Sequence, residues 1–245
     1  MLKLGIATPS YRALVHDHLQ DQLANLWAAC LTSSAAYVQR GAKDGLVLSA
    51  AGRLGVAYAG RLYQSGCSIT LARNRFVYGA LKLGWDWLLM CDSDTYWPGA
   101  PQAILAMVSS AHVQEAAVIA APVLRRDGRY NILSEQGTSL IPEDFRGRTL
   151  RVGRAGAAFL ALNLAWFRAE WPRQPWFRWE QTEAPDGEPI EISEDHVFCD
   201  GVRERGGAIL CDGRLEPVHD GAPYAAGHPY AVVPPSNYIA ADGGR

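Results

Sequence analysis

Two aspartates separated by a single residue follow a short apolar run near the middle of the chain. Asp92 and Asp94 come directly after residues 87–91, which are all apolar, as is typical of a parallel strand covered on both faces. Ligands of open α/β sheets bind outside the carboxyl ends of the strands. Carboxylates there can hold a hard divalent cation, which in turn binds phosphates. The pattern predicts a metal site at this strand end, with an acidic turn as the competing interpretation.

Further polar residues stand where they can join this site. Arg73 and Asn74 lie near the start of a predicted helix that leads into the acid-tipped strand, where backbone N–H groups favour anions. Glu194 and Asp195 follow a serine at the start of a later helix, and His219 comes after the last predicted strand. An imidazole can join carboxylates around a cation, and manganese tolerates this mixture better than magnesium does. The alternatives are a locally paired arginine, acids that stabilise a helix start, and a histidine bonded to a carbonyl.

The elements that position these residues follow from the apolar pattern. Strands are predicted at 2–7, 45–49, 56–62, 87–91, 116–123 and 208–211, and helices at 16–30, 71–83, 101–109 and 193–205, with a strand followed by a helix over 161–169. Strands that alternate with helices predict an α/β fold with a mostly parallel central sheet flanked by helices.

Composition excludes several classes of protein. The chain of 245 residues fits one large domain, which we place at 1–221, followed by a flexible Gly/Ala/Pro-rich tail or lid at 222–245. The net charge of −2 gives no sign of a polyanion-binding protein. Five cysteines without a Cys-x-x-Cys pair argue against a disulfide scaffold or a structural zinc site. Because neither a signal peptide nor an apolar run of about 20 residues is visible, we expect a soluble, cytoplasmic enzyme without membrane insertion.

In their order along the chain, these motifs resemble those of a GT-A-fold glycosyltransferase, in particular the family 2-like enzymes of bacteria and phages. The resemblance spans about residues 3 to 221. It consists of a Thr-Pro turn, an Ala-Arg-Asn helix, Asp-x-Asp, a Gly-Ala segment, Glu-Asp and a late histidine. No single motif is specific, but their order is. The resemblance implies a GT-A (Rossmann-like) fold and a metal-dependent enzyme that moves a sugar from a nucleoside diphosphate to a hydroxyl.

The resemblance also implies roles for individual residues. Asp94 is the principal metal ligand, Asp92 reaches the ribose or a metal-bound water, and His219 is the third ligand. Asp195 is the base that takes the acceptor proton in an inverting transfer, and Glu194 orients the acceptor or supports the helix start. The implied donor-binding residues are Thr8, Pro9, Tyr11, Arg73, Asn74, Asp92, Ser93, Gly156 and Ala157. The expected cofactor is Mn2+ (or Mg2+), and the expected donor is a UDP-sugar, with a GDP-sugar as the alternative.

Two segments have less regular patterns. Residues 171–190 place Trp176, Phe177 and Trp179 among prolines, which predicts a mobile loop on the acceptor side with core packing for at least one aromatic ring. Residues 125–129 contain three arginines and a Gly, which indicates a turn between strands. These arginines either address a phosphate-bearing acceptor or form a solvated hairpin tip.

Two other functions use similar residues. A sugar-1-phosphate nucleotidyltransferase also needs acids and a metal at a strand end, but its expected glycine-rich, basic loop after the first strand is missing here. A non-catalytic carbohydrate- or nucleotide-binding module has no use for a base such as Asp195. The acceptor stays open at this stage: the hydroxyl of a glycan, a protein side chain, a small molecule or a modified base.

Overall fold

The computed structural model of the chain describes residues 2–10, 24–26, 56–65, 67–97, 101–184 and 186–219. Several predictions lie outside these ranges. They concern Tyr11, the strand at 45–49, most of the helix at 16–30, and the tail at 222–245.

A seven-stranded sheet forms the centre of the described chain. In spatial order its strands are β2 (Val56–Ser65), β1 (Leu2–Ser10), β3 (Trp87–Cys91), β9 (Phe159–Asn163), β5 (Val118–Ala120), β12 (Ile209–Asp212) and β7 (Thr149–Arg151). Strands β9 and β7 run antiparallel to their neighbours, and the other strands share one direction. The predicted α/β class with a mostly parallel, Rossmann-like central sheet is therefore confirmed.

Three two-stranded sheets are added to this frame. They pair β4 (Thr95–Tyr96) with β13 (Val218–His219), β6 (Ile132–Leu133) with β8 (Arg154–Ala155), and β10 (Glu180–Glu183) with β11 (Pro189–Ile192). The last pair corrects the prediction of an irregular loop over 171–190, because the second half of that segment is a hairpin. Strand β10 has no apolar residue, and β11 has only Ile190 and Ile192 in alternation, which is too short a pattern to mark the pair in the sequence.

Helices cover the faces of the central sheet. They are α1 (Ile69–Lys82), α2 (Pro101–Val113), α3 (Pro142–Phe145), α4 (Leu164–Glu170) and α5 (Glu194–Glu204), and residues 24–26 are also helical. Each helix predicted within the described ranges is present, with ends that shift by a few residues. Among these described helices, none combines the length and apolar character needed to cross a bilayer.

Strand β3 joins the two halves of the core. All five of its residues are buried, and successive side chains of a strand point to opposite faces. Leu88 and Met90 pack into the cluster that contains α1 and α5 side chains. Trp87, Leu89 and Cys91 pack into the cluster that contains α2 side chains. Because both faces are covered, the strand is apolar throughout, and the first polar residue after it marks the edge of the sheet.

Strand β1 extends further than the sequence predicts. The Thr8-Pro9 pair was expected to end it, but the strand continues to Ser10. The pairing of β1 with β3 stops at Ala7, opposite Met90, whereas the pairing with β2 continues to the last residue. A proline lacks an N–H donor and is tolerated where a strand has a neighbour on one side only. Pro9 therefore lies in the strand, at the same sheet edge as the acids that follow β3.

Candidate metal centre

A tight turn holds the two aspartates at the carboxyl end of β3. The backbone N–H of Asp92 donates to the carbonyl of Ala158 at 3.0 Å, and the N–H of Thr95 donates to the carbonyl of Asp92 at 3.0 Å. These bonds fix Asp92 beside the end of β9 and place Ser93 and Asp94 on the turn before β4 begins. Ser93, predicted to contact the donor, is therefore part of the turn that presents both acids.

His219 reaches this turn from the far end of the described chain. Strand β13 pairs with β4, so that His219 lies opposite Thr95 and Val218 lies opposite Tyr96. The Nδ1 atom of His219 is 3.4 Å from Oδ2 of Asp94. One ligand atom from each of Asp92, Asp94 and His219 lies within 4.8 Å of the others. The structure thus brings together the three residues predicted to bind the metal, in a group that could hold an ion.

The histidine nitrogen is the atom that tests whether this group suits a cation. Nδ1 of His219 is buried and makes no hydrogen bond with any described part of the chain, although it lies within ion-pair distance of Asp94. A buried polar atom without a hydrogen bond is costly, and a metal ion would satisfy it. Two carboxylates and one imidazole form a donor set that Mn2+ accepts. The residues present therefore fit a divalent transition metal.

The charges of this group are strongly coupled. Burial acts to raise the pKa of Asp94, but His219 and Arg126 outweigh it, and the pKa is lowered. Burial acts to lower the pKa of His219, but its interactions with Asp94 and Asp92 outweigh this effect, and the pKa is raised. Burial raises the pKa of Asp92, with a further rise from Asp94 that Arg73 opposes. Within this group, Asp94 has the lowered pKa, whereas Asp92 and His219 have raised ones.

Arg73 ties Asp92 to the helix that carries the Glu-Asp pair. Its Nη2 atom lies 3.1 Å from both carboxylate oxygens of Asp92, and its Nη1 atom donates to Oε1 of Glu194. Arg73 is only 3% exposed and Glu194 only 6%. The side chain predicted to contact the donor diphosphate is thus engaged with two acids of the chain, and its role toward the donor stays a prediction.

Helix periodicity explains why this arginine is buried. Arg73 shares one face of α1 with Phe76, Val77 and Ala80, all buried, because residues three and four apart lie on the same side of a helix. The sequence does not show its partner, because Glu194 is 121 positions away. The signal that was available is a charge at an apolar position of the helix, which requires a buried partner of opposite sign.

Glu194 and Asp195 begin α5 and differ in environment. Ser193 holds the N-cap position with an extended backbone, but its hydroxyl does not cap the helix. It bonds instead to Oδ1 of Asp195, which also accepts the N–H of His196 at 2.8 Å. Glu194 is buried against Arg73, whereas Asp195 is partly exposed. The charge of Asp195 acts on both Arg73 and Glu194 by raising the pKa of each.

The predicted sugar-pocket segment lies beside the acids. Ala158, which directly follows Gly156 and Ala157, accepts the backbone bond from Asp92. A Cβ on Gly156 would lie 2.3 Å from Nδ2 of Asn131, so close packing against Asn131 requires glycine there. Ala157 is buried. The packing explanation accounts for the small residue at 156, and contact with a donor sugar stays a prediction for both positions.

Two further donor-binding candidates, Thr8 and Asn74, lie in the described part of the chain. Thr8 is fully buried at the end of β1, and its Oγ1 has no hydrogen bond within the described ranges. Asn74 holds a loop through its side-chain amide. Its amide accepts the N–H groups of Trp176 at 2.8 Å and Phe177 at 3.2 Å, and it donates to the carbonyl of Phe177 at 2.7 Å. Asn74 therefore supports the aromatic segment before β10 and does not face the cation group.

Both aromatic residues held by Asn74 belong to the core. Trp176 and Phe177 are 1% exposed, and the Phe177 ring stacks on Phe198 of α5 with centroids 4.3 Å apart. Trp179 remains exposed. The expected core packing of at least one ring is confirmed, and of these three rings Trp179 is the one exposed to solvent.

One residue at the site was not singled out by the sequence. Arg126, in the arginine-rich turn, lies with Nη2 3.2 Å from Oδ2 of Asp94. The sequence suggested phosphate binding by this turn but did not connect it with the two aspartates. The available signal was the turn itself, because the position of this hairpin beside Asp94 depends on tertiary contacts.

Neither a protein-family model nor a curated protein matches this sequence. Among solved structures, A197 from STIV is similar in fold, with a TM-score of 0.53 and 12% identity over 89% of this chain and 85% of that one. GalNAc-T7 with UDP, GalNAc and Mn2+ aligns at a TM-score of 0.47 and 11% identity, over 92% of this chain and 46% of that one. A protein assigned as a glucose-1-phosphate thymidylyltransferase from Bacillus anthracis, solved with sucrose, aligns at 0.45 and 10% identity, over 90% of each chain. At these identities the likeness shows a fold and no more.

Proposed function

We propose that this protein is a metal-dependent glycosyltransferase that moves a sugar from a nucleoside diphosphate donor to a hydroxyl acceptor. The observation that carries the proposal is the grouping of Asp92, Asp94 and His219 at the carboxyl end of β3, within 4.8 Å of one another. The buried Nδ1 of His219, which makes no hydrogen bond with the described residues, supports it. We assign Mn2+, or Mg2+, as the ion, and a UDP-sugar as the favoured donor, with a GDP-sugar as the alternative.

The chain would hold the cation and the donor as follows. Asp94 and His219 are the principal ligands, and Asp92 is oriented by its two bonds from Arg73. A divalent ion in this position would supply positive charge to a diphosphate leaving group. Thr8 and the segment at 156–157 lie at the same edge of the sheet, where a nucleotide and its sugar would bind.

Transfer requires a base for the acceptor hydroxyl, and we assign Asp195. The acceptor oxygen forms a bond to the anomeric carbon while the bond from that carbon to the diphosphate oxygen breaks, and its electron pair leaves with the diphosphate. The hydroxyl proton passes to Asp195. Because Ser193 and His196 both bond to Oδ1, we assign Oδ2 as the proton acceptor. Attack opposite the leaving group inverts the anomeric configuration.

Glu194 has a different part in this scheme. Its carboxylate is buried and bonded to Arg73, so it supports the start of α5 and, through Arg73, the orientation of Asp92. We therefore assign Glu194 as a positioning residue. Of the two roles expected for it, this one is support of the helix start, and contact with the acceptor is assigned to Asp195.

A panel of nucleoside diphosphate sugars, assayed with and without Mn2+, tests the proposal. Release of UDP or GDP supports a glycosyltransferase, formation of nucleoside triphosphate from added pyrophosphate indicates a nucleotidyltransferase, and binding without turnover indicates a binding module. Thermal shift provides the first screen, because a ligand of the native state raises the melting temperature.

The variant Asp94→Ala links this activity to the metal centre. It should abolish metal-dependent affinity for UDP or GDP in calorimetry, because the cation loses its principal carboxylate. Asp186→Ala, in the exposed turn between β10 and β11, is the matched control and should bind as the wild type does. Unchanged affinity in Asp94→Ala would show that the motif is only an acidic turn.

A further inference from the structure

Residues 124–130 form a short hairpin next to the metal centre. Leu124 and Tyr130 pair in antiparallel fashion, and the N–H of Arg125 donates to the carbonyl of Arg129 at 2.8 Å. The phenol of Tyr130 donates to Oε2 of Glu216 at 3.0 Å and its ring packs edge-on against Phe145. The base of the hairpin is therefore anchored on both sides, and its tip carries Arg126.

The same hairpin is bonded to the strand that delivers the histidine. The N–H of Leu124 donates to the carbonyl of Pro217 at 3.1 Å, and the N–H of His219 donates to the carbonyl of Leu124 at 3.1 Å. Arg126 therefore lies two residues after Leu124, whose backbone is bonded to that of His219. The hairpin and His219 are therefore joined by backbone hydrogen bonds, and both carry a side chain that contacts Asp94.

Arg126 and His219 approach the same oxygen atom. Nη2 of Arg126 is 3.2 Å from Oδ2 of Asp94, and Nδ1 of His219 is 3.4 Å from that atom. A cation bound through this oxygen and His219 would share it with a guanidinium group, which is also positively charged. The arginine side chain is 61% exposed, so a change in its conformation does not disturb the core.

We propose that Arg126 is a diphosphate-binding residue that neutralises Asp94 in the unliganded protein and turns to the donor diphosphate when donor and cation occupy the site. The inference rests on the proposed function and names a residue that recognises the donor. A planar guanidinium binds phosphate oxygens through paired N–H groups. The exchange keeps Arg126 paired in both states, because Asp94 gains the cation at the moment when the arginine gains the diphosphate.

This exchange predicts effects of opposite sign for one substitution. In Arg126→Ala, Asp94 loses a competing cation, so affinity for Mn2+ alone should rise by roughly two- to fivefold, which is the range for a largely exposed ion pair. Affinity for UDP at saturating Mn2+ should fall by roughly tenfold to a hundredfold, because the diphosphate loses a charged hydrogen-bond donor. Damage to the fold would lower both affinities together.

Calorimetry on the full chain tests the inference, first with Mn2+ alone and then with UDP at saturating Mn2+. The control is Arg125→Ala, which removes the same charge from the neighbouring position, where the side chain pairs with Asp127 at 3.2 Å. It should leave both affinities near the wild-type values. Arg126→Lys keeps the charge without the planar group and should recover only part of the UDP affinity.

The outcomes separate this inference from the proposed function. If the wild type binds UDP with Mn2+ and Arg126→Ala binds it equally well, the assignment of Arg126 is wrong and the metal centre stands. A joint loss of Mn2+ and UDP affinity in Arg126→Ala also overturns the assignment, since it indicates a structural role. If the wild type itself shows no metal-dependent binding of UDP or GDP, the proposed function falls, and the inference with it.

Discussion

The buried arginine between α1, β3 and α5 is the best place to test the reasoning about this site. Arg73→Met keeps an apolar side chain of similar length but removes the charge that pairs with Asp92 and Glu194. Two acids would then face one another in the interior, with Asp195 nearby. Met is chosen because the stem of Arg73 packs on the same face as Phe76, which a flexible apolar chain can continue to cover.

The expected loss in the free energy of unfolding follows from the burial of these charges and the distances between them. Opposite charges about 4 Å apart attract by about 4 kcal/mol at an effective dielectric constant of about 20, and each buried ion has already lost several kcal/mol of hydration. Removing one partner of such a group costs about 3–5 kcal/mol, because the hydration loss of the others is no longer compensated. Arg154→Met is the control. Its pair with Asp200 is about one-third exposed on each side, and its loss should cost about 1 kcal/mol or less.

Urea denaturation of three variants measures these quantities. Arg73→Met should lower the free energy of unfolding by about 3–5 kcal/mol. The double variant Arg73→Met/Glu194→Met should recover about 1–3 kcal/mol, because it removes one of the uncompensated acids. Slopes of the unfolding curves should stay the same, which shows that the surface exposed on unfolding is unchanged. The reasoning is refuted if Arg73→Met lowers the free energy of unfolding by no more than Arg154→Met does. It is also refuted if adding Glu194→Met lowers that free energy again by a similar amount.

Three other predictions concern single residues around the site. Asp195→Asn should slow transfer by about two to four orders of magnitude in single-turnover assays and leave donor affinity unchanged, because the base acts on the acceptor; near wild-type rates or a retained configuration would exclude Asp195 as the base. Burial and the charge of Glu216 raise the pKa of Tyr130 to about 12, so its contribution to stability is complete below a pH of about 10 and lost as the pH rises through about 12. In Tyr130→Phe the change of the urea midpoint between pH values of about 10 and about 12 should vanish. A profile identical to that of the wild type would argue against this role of Tyr130. Asn74→Ala should cost about 2–4 kcal/mol, because it leaves buried backbone groups of the Trp176–Phe177 segment without partners; a loss under about 1 kcal/mol would mean that the segment finds other partners.

The sequence predicted best those features that depend on nearby residues. The bounds of β3 match the apolar run at 87–91, because a strand covered on both faces has no polar position to confuse its ends. The start of α5 was also predicted correctly, because a serine followed by two acids is a common helix start. The two aspartates could be placed from these local patterns alone, since they follow directly from the end of the strand.

Features that depend on distant pairs were not predicted. The hydrogen bond from Arg73 to Glu194 joins residues 121 positions apart. The charge of Arg73 and its place on the apolar face of the helix do not identify a partner at that distance. The contact between Arg126 and Asp94 spans 32 positions and depends on how the hairpin is anchored. Strand β10 was missed for another reason, since its exposed residues carry no apolar alternation. A single sequence indicates which charge needs a partner, and tertiary structure decides which one it receives.

The position of His219 has a consequence for biosynthesis. Strand β4, its partner, lies more than a hundred residues earlier in the chain, and ribosomes add roughly 5–20 residues per second. A nascent chain therefore carries Asp92 and Asp94 for on the order of ten seconds before the imidazole that completes their group has been made. During that interval the emerging polypeptide carries only two of the three residues of the proposed metal centre. Under the proposed function, metal binding would follow the docking of β13 on β4 and would report it.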